Sequence, residues 1–202
     1  NQGDAWTFTA SYLDRFAEQH RLLPPDAAAD EPGEPVPYAL YMMQTGSRVA
    51  QLHMALASRD DIGGFRPEPA TPDDIRGWID TAVARAEPMF DRLRAAHAAA
   101  KEADRALIER ALAQQKALRA RLDALLPHNV GLHLIRHHGD FHLGQMLIAK
   151  DDIFIIDFEG EPRRPLSARR RKAPAARDVA GLIRPLDYAA AAALERARAG
   201  AP

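Results

Sequence analysis

Two short segments hold side chains whose types and spacing could do chemistry. In His138-Gly139-Asp140-Phe141-His142-Leu143-Gly144-Gln145 a carboxylate, Asp140, precedes an amide, Gln145, by five residues. In Ile155-Ile156-Asp157-Phe158-Glu159-Gly160 a second carboxylate, Asp157, follows that amide by twelve. A carboxylate in a loop can accept the proton of an attacking hydroxyl. An amide oxygen and a carboxylate held side by side can share one hard cation. Magnesium suits such a pair, because it takes oxygen ligands and borrows the rest of its shell from phosphate and water. Base, amide ligand and metal aspartate, in that order, are the parts of a phosphoryl-transfer site.

The spacing follows the kinase pattern H-R-D-x-x-x-x-N and then D-F-G. Here the first segment reads His138-Gly139-Asp140 with Gln145 at the amide position, and the second reads Asp157-Phe158-Glu159. Gly139 in place of arginine points away from protein kinases and towards small-molecule kinases of the aminoglycoside-phosphotransferase type. Either segment alone is weak evidence; both together, joined by a hairpin-length spacer, are strong.

That spacer must bring Gln145 and Asp157 together. Met146 to Ala149 and Ile153 to Asp157 read as the strands of a β-hairpin. A three-residue turn at 150–152 sets Gln145 opposite Asp157, with backbones about 5 Å apart. A two-residue turn shifts the pairing by one and sets Met146 opposite Asp157. His133 to Arg136 is a further short strand before the catalytic loop.

The rest of the chain is helical in pattern. Thr9 to His20 and Tyr38 to Ala57 have helical spacing, the second with a potential break at Gly46-Ser47. Thr71-Pro72-Asp73-Asp74 is a helix start, with a capping hydroxyl, a first-turn proline and two acids at the positive end. The helix it opens is expected to kink or split at Pro88. Glu102 to Leu126 predicts a second long helix, packed antiparallel on the first. Residues 177–184 and 186–198 read as helix interrupted or kinked at Pro185. Residues 22–37 contain five prolines and an acidic run, which predicts a loop. The expected class is mainly α with a small β-hairpin cluster.

Composition excludes several alternatives. The 202 residues carry a net charge of −1, so no basic field recruits nucleic acid. There is no cysteine, so no disulfide framework and no thiolate metal site. No apolar run reaches the ~20 residues of a membrane span, and no leader is visible, which fits a cytoplasmic protein. His137, His138, Asp140 and His142 could be read as a zinc cluster, but Gly139 and Gly144 disfavour the helix that would align them. His138 is better read as a brace of the catalytic loop, His142 as a wall of the acceptor pocket, and Glu159 as a turn cap or a metal neighbour. Arg177-Asp178 reads as a structural ion pair or loop brace, and His53 as a satisfied core histidine. The basic residues from Arg163 to Arg177 read as a solvated loop near an anionic nucleotide.

A narrower resemblance rests on HGDFHLGQ (138–145), IDFEGEP (156–162) with Pro165-Leu166, and RDVAGLIRPLDY (177–188). Asn1 to Trp6 and RVAQLHMAL (48–56) add to it. These segments resemble bacterial maltokinases, including maltokinase-like domains fused behind trehalose synthase. The resemblance implies transfer of the ATP γ-phosphate to the anomeric hydroxyl of maltose, with Asp140 as base and Gln145 and Asp157 as magnesium ligands. It also implies that residues 1–202 are the C-terminal lobe of a protein-kinase-like fold whose nucleotide-gripping N-terminal lobe is absent. A fragment of that kind is expected to show no appreciable kinase activity alone. The in-class alternative is another acceptor, such as glucosamine or an aminoglycoside. The alternative from another class is a non-catalytic domain that scaffolds trehalose synthase.

Overall fold

The computed structural model describes residues 3–21, 37–125, 131–150 and 152–199. In chain order these form β1 (Gly3–Asp4), α1 (Ala5–Arg21), α2 (Pro37–Leu56), β2 (Glu68–Pro69), α3 (Pro72–His97), α4 (Glu102–Ala113) and α5 (Gln115–Leu125). There follow β3 (His133–Leu134), a 3-10 turn (Leu143–Gln145), β4 (Met146–Ala149), β5 (Asp152–Ile155), α6 (Leu166–Arg169) and α7 (Ala176–Ala199). The loop expected at 22–37 lies outside the described residues except for Pro37, which opens α2. The chain divides into two compact units, residues 69–133 and the remainder.

The unit of residues 69–133 is helical. Thr71 and Asp74 form a full capping box on α3: the Asp74 N–H donates to Thr71 Oγ1 at 3.3 Å and the Thr71 N–H to Asp74 Oδ2 at 2.8 Å. Pro88 sits inside α3 without ending it, and Ile75, Ile79 and Phe90 are its buried face. The expected helix over 102–126 is two helices, α4 and α5, meeting at Gln114. Partners across the unit run in opposite chain directions: His97 with Glu109, Glu87 with Gln115, Asp80 with Arg119. That order is antiparallel packing.

The other unit holds both chemical segments. Its core is Ala5, Val49, Phe141, Leu143, Met146, Ile153 and Leu182, with Leu143 and Met146 fully buried. Burial of those two side chains is worth about 2 kcal/mol each. β1, β4 and β5 form an antiparallel sheet in the order β1-β4-β5. Met146 and Ile148 of β4 point inward, two positions apart, as the strand period requires. Aromatic rings link α1 to α2, the closest pair being Tyr12 and Tyr38 at 4.4 Å between centroids.

The strands are joined by the shorter, two-residue alternative, but this shifts the pairing the other way from that expected: Met146 pairs with Ile155 and Ala149 with Asp152. Lys150 takes φ 51°, which suits the first position of a tight two-residue turn. The sequence has no glycine there to mark it. Asp152 ties the hairpin to α2: Arg48 donates Nε to Oδ1 and Nη2 to Oδ2, both at 2.7 Å, and Gln44 Nε2 donates to Oδ1 at 2.9 Å. The predicted break at Gly46-Ser47 is absent, and α2 runs through it as one helix. α7 likewise continues through Pro185. An interior proline forfeits a helix hydrogen bond, so packing outweighs local preference here.

Candidate active site

The catalytic loop leaves a two-way backbone bridge between Ile135 and Ala173, with N–H to O distances of 3.0 and 3.1 Å. It is then held by the first turns of α7. Asp178, buried, accepts the His138 N–H at Oδ2 (2.8 Å) and the Gly139 N–H at Oδ1 (3.0 Å). Its Oδ2 also lies 3.0 Å from His53 Nε2. Burial by itself raises the Asp178 pKa. Hydrogen bonds from His53, Gly139 and His138 outweigh it and hold the carboxyl below the usual range. Three residues on, Gly181 leaves room for the loop: a Cβ there would lie 2.5 Å from the Phe141 carbonyl oxygen. Only glycine lets α7 and the loop backbone approach so closely.

His138 joins the two chemical segments. Its Nε2 donates to the Ile156 carbonyl at 2.8 Å, and its Nδ1 accepts the Asp140 N–H at 3.4 Å. Both contacts require the neutral tautomer with the proton on Nε2. The ring lies between Phe141 and Phe158, with centroids at 5.2 and 5.1 Å. Gly139, at φ 89°, occupies a conformation that side chains resist, and a Cβ there would sit 3.6 Å from the Gly160 Cα. The loop carrying Asp140 and the turn after Asp157 therefore touch through backbone. Neighbouring His137 is also buried, and desolvation is the first cause that lowers its pKa.

Gln145 ends the 3-10 turn that follows. His142 caps this turn, its Nδ1 accepting the Gly144 N–H at 3.1 Å, while its Nε2 lies 3.5 Å from Gln145 Nε2. The Gln145 carbonyl accepts the Ile156 N–H at 3.0 Å, and its side-chain Nε2 donates to Asp157 Oδ2 at 3.1 Å. Asp157 takes φ 63°, the left-handed region that Asp enters more readily than most side chains. Glu159 is exposed, and its carbonyl accepts from Arg169 Nη1 at 3.4 Å. Arg177 lies in the first turn of α7 beside Asp178, and its charge is among the lesser causes that lower the His137 pKa.

The donor set fits a hard cation: turning the Gln145 amide over would present its oxygen beside the Asp157 carboxylate. Among the described residues no three His, Cys, Asp or Glu groups converge on one metal position. Also among them, no helix is long and apolar enough to cross a membrane. Much of the basic run is used locally. Arg164 pairs with Glu161, Arg169 Nε donates to the Arg164 carbonyl at 3.0 Å, and Lys172 Nζ donates to the Gly63 carbonyl at 2.7 Å.

The loop-brace reading of Asp178 and the satisfied-core reading of His53 hold, but sequence reasoning did not pair the two, and it missed the gap at Gly181 and the Arg48–Asp152 tie. Gly181 is the one with a visible signal, a glycine inside a helical stripe.

Known proteins with similar sequence and structure bear on this arrangement. The chain is 35% identical over 145 residues to a glucosamine kinase of Streptacidiphilus jiangxiensis, covering 72% of the chain and 29% of that protein. It is 29% identical over 187 residues to a glucosamine kinase of Mycolicibacterium smegmatis (strain ATCC 700084 / mc(2)155), covering 93% of the chain and 39% of that protein. A solved glucosamine kinase in complex with glucosamine, ADP and inorganic phosphate superposes with a TM-score of 0.63 at 30% identity, over 96% of the chain and 42% of that protein. The chain thus spans less than half the length of each of these relatives. They are named for glucosamine, where the sequence resemblance pointed to maltose. Residues 12–161 match the phosphotransferase enzyme family, and the chain belongs to that family.

Proposed function

We propose that this chain carries the catalytic loop and cation ligands of an ATP-dependent sugar kinase whose acceptor is glucosamine. The observation that carries the reading is the contact of Gln145 with Asp157 at 3.1 Å, one backbone step from the His138 brace that also holds Asp140. In this reading residues 1–202 act as the C-terminal lobe. Asp140 orients the acceptor hydroxyl and takes its proton. Gln145 and Asp157 hold magnesium, which when bound neutralises charge on the transferring phosphate. His138 and Asp178 keep the loop in place, so that catalysis is positioning plus charge compensation. The names of the relatives favour the amino sugar over maltose, and none of them mentions trehalose synthase. Maltose stays as the second reading, supported by the 138–145, 156–162 and 177–188 segments.

The test is an acceptor screen with ATP on the longest natural chain that carries residues 1–202, using glucosamine, maltose, glucose and an aminoglycoside. Glucosamine is expected to turn over. Asp140→Asn should lower kcat by about 10²–10⁴-fold with KM little changed, as loss of a general base requires. Turnover of maltose alone would replace the acceptor and keep the kinase. No turnover with any acceptor, and no binding of magnesium-nucleotide, would replace the kinase reading with a scaffold.

A further inference from the structure

Asp157, Phe158 and Glu159 are exposed in succession, and Asp157 stands at φ 63°. A left-handed residue other than glycine keeps its conformation only where its surroundings fix it. One end of this turn is fixed by Ile156, whose N–H meets the Gln145 carbonyl and whose carbonyl meets His138. The far end is Gly160, buried and at φ 72°. It lies between Gly139 and the methylene stem of Arg169: a Cβ on Gly160 would meet Arg169 Cβ, Cγ and Cδ at 3.4, 3.5 and 3.6 Å. The same arginine donates Nη1 to the Glu159 carbonyl at 3.4 Å and Nε to the Arg164 carbonyl at 3.0 Å. One planar guanidinium thus joins the first and last residues of the 159–164 loop. The hold starts from α6, where the Arg169 N–H donates to the Pro165 carbonyl at 3.1 Å. Arg164 and Lys172 of the same basic run pair with Glu161 and Glu68, whereas Arg169 has no carboxylate partner among the described residues. Its donors face backbone carbonyls, so its role is geometric rather than ionic.

We propose that Arg169 is a positioning residue for Asp157. Its head closes the 159–164 loop and its stem seats Gly160 against Gly139, so that the exposed turn between Ile156 and Gly160 keeps the Asp157 carboxylate aimed at Gln145. The inference rests on the kinase reading for its consequence at the cation site, but the hold on the turn is read without metal or nucleotide.

The test is hydrogen exchange of the Ile156 amide, followed by NMR on the longest natural chain that carries residues 1–202, with the β4–β5 hairpin amides as reference. Arg169→Met keeps the stem and loses both donors. Exchange at Ile156 should rise by about tenfold, the scale of one charge-assisted hydrogen bond, while the hairpin amides hold their rates. Arg169→Lys keeps stem and charge but not the fork, and should raise exchange by less. Arg170→Met removes the same charge one residue on and should change nothing. Wild-type exchange in Arg169→Met, an equal rise at Ile156 and the hairpin, or an equal rise in Arg170→Met overturns the proposal. If Arg169→Met does not fold, Arg169→Lys decides, and wild-type exchange in it overturns the proposal. Mn²⁺ affinity, read by electron paramagnetic resonance, should fall by about tenfold in Arg169→Met, the scale of losing a group that orients a ligand; a lower Tm with unchanged affinity and exchange leaves Arg169 merely structural and overturns the proposal. Selective exposure of Ile156 with no Mn²⁺ binding and no turnover in any form would sink the kinase reading and leave Arg169 its hold on the turn. Turnover and Mn²⁺ binding, with no effect of Arg169→Met on either or on exchange, would do the reverse.

Discussion

Gly181→Ala gives the sharpest separation between local helix preference and the close approach of α7 to the catalytic loop. The new Cβ would stand 2.5 Å from the Phe141 carbonyl oxygen, and the next contact, the Phe141 carbonyl carbon, is also backbone. No flexible side chain can yield, so helix and loop must separate. Reaching 3.0 Å, the shortest distance real Cβ atoms tolerate, takes 0.5 Å of movement; reaching ordinary contact at 3.4 Å takes 0.9 Å. Overpacking of this kind costs about 1–3 kcal/mol. Alanine in a helix interior returns about 0.5–1 kcal/mol relative to glycine. The net is a loss of about 1 kcal/mol, or about 2–4 °C in Tm for a chain of this size. Gly46→Ala is the control, since it lies in α2 of the same unit with nothing within 4 Å of its Cβ. That variant should gain the helix term alone and melt higher. The displaced carbonyl belongs to the residue after Asp140, and a misplacement approaching 1 Å can cost on the order of 10²-fold in rate. Thermal unfolding of the two variants side by side, with kcat on the longest natural chain, is the assay. If Gly181→Ala raises Tm as much as Gly46→Ala does, the close approach is not real and the reasoning fails.

Two further outcomes follow from the site. Asp178→Asn should destabilise the chain by about 2–3 kcal/mol at neutral pH, because one amide oxygen cannot serve two buried N–H groups and His53. The folded Asp178 pKa is depressed, so its contribution is complete above the unfolded value near ~3.9 and is lost as pH falls through the folded one. The gap between wild type and variant in urea denaturation should therefore narrow below about pH 4, and a gap that stays constant into acid would contradict the assignment. Asp157→Asn should weaken Mn²⁺ binding, read by electron paramagnetic resonance, by more than about tenfold; equal affinity in variant and wild type would remove Asp157 from the cation site.

Elements with a local physical signal were legible in the sequence. Thr71 and Asp74 announce α3 because a capping box is a four-residue device, complete within its own segment. The hairpin and the helical stripes were legible for the same reason. What failed was decided by partners far away. Gly46 and Ser47 look like a break, yet Thr45, Val49 and His53 are buried on α2 and keep it whole. Pro88 and Pro185 look like breaks and are carried by long amphipathic helices packed along their length. Gln114 looks like helix and is the junction of α4 and α5. Arg48 with Asp152, and His53 with Asp178, are pairs more than 100 residues apart, and nothing in either neighbourhood names the other.

The hairpin shows why a wrong register still delivered the right neighbours. With Met146 opposite Ile155, continuing the ladder would place Asp157 across from Gly144, on the wrong side of Gln145. The ladder continues for one bond only. The Gln145 carbonyl takes the Ile156 N–H at 3.0 Å, and the backbone then swings into the left-handed region at Asp157. That turn re-aims the carboxylate at the Gln145 amide, 3.1 Å away. The same turn sends Phe158 onto His138, whose Nε2 holds the Ile156 carbonyl. A strand-paired aspartate would owe its position to the hairpin alone. An aspartate placed by a turn owes it to the 138–145 loop as well, so Asp140, Gln145 and Asp157 are set by one network. Loosening His138 should therefore disturb all three together, whereas loosening the hairpin turn at Lys150 should disturb none.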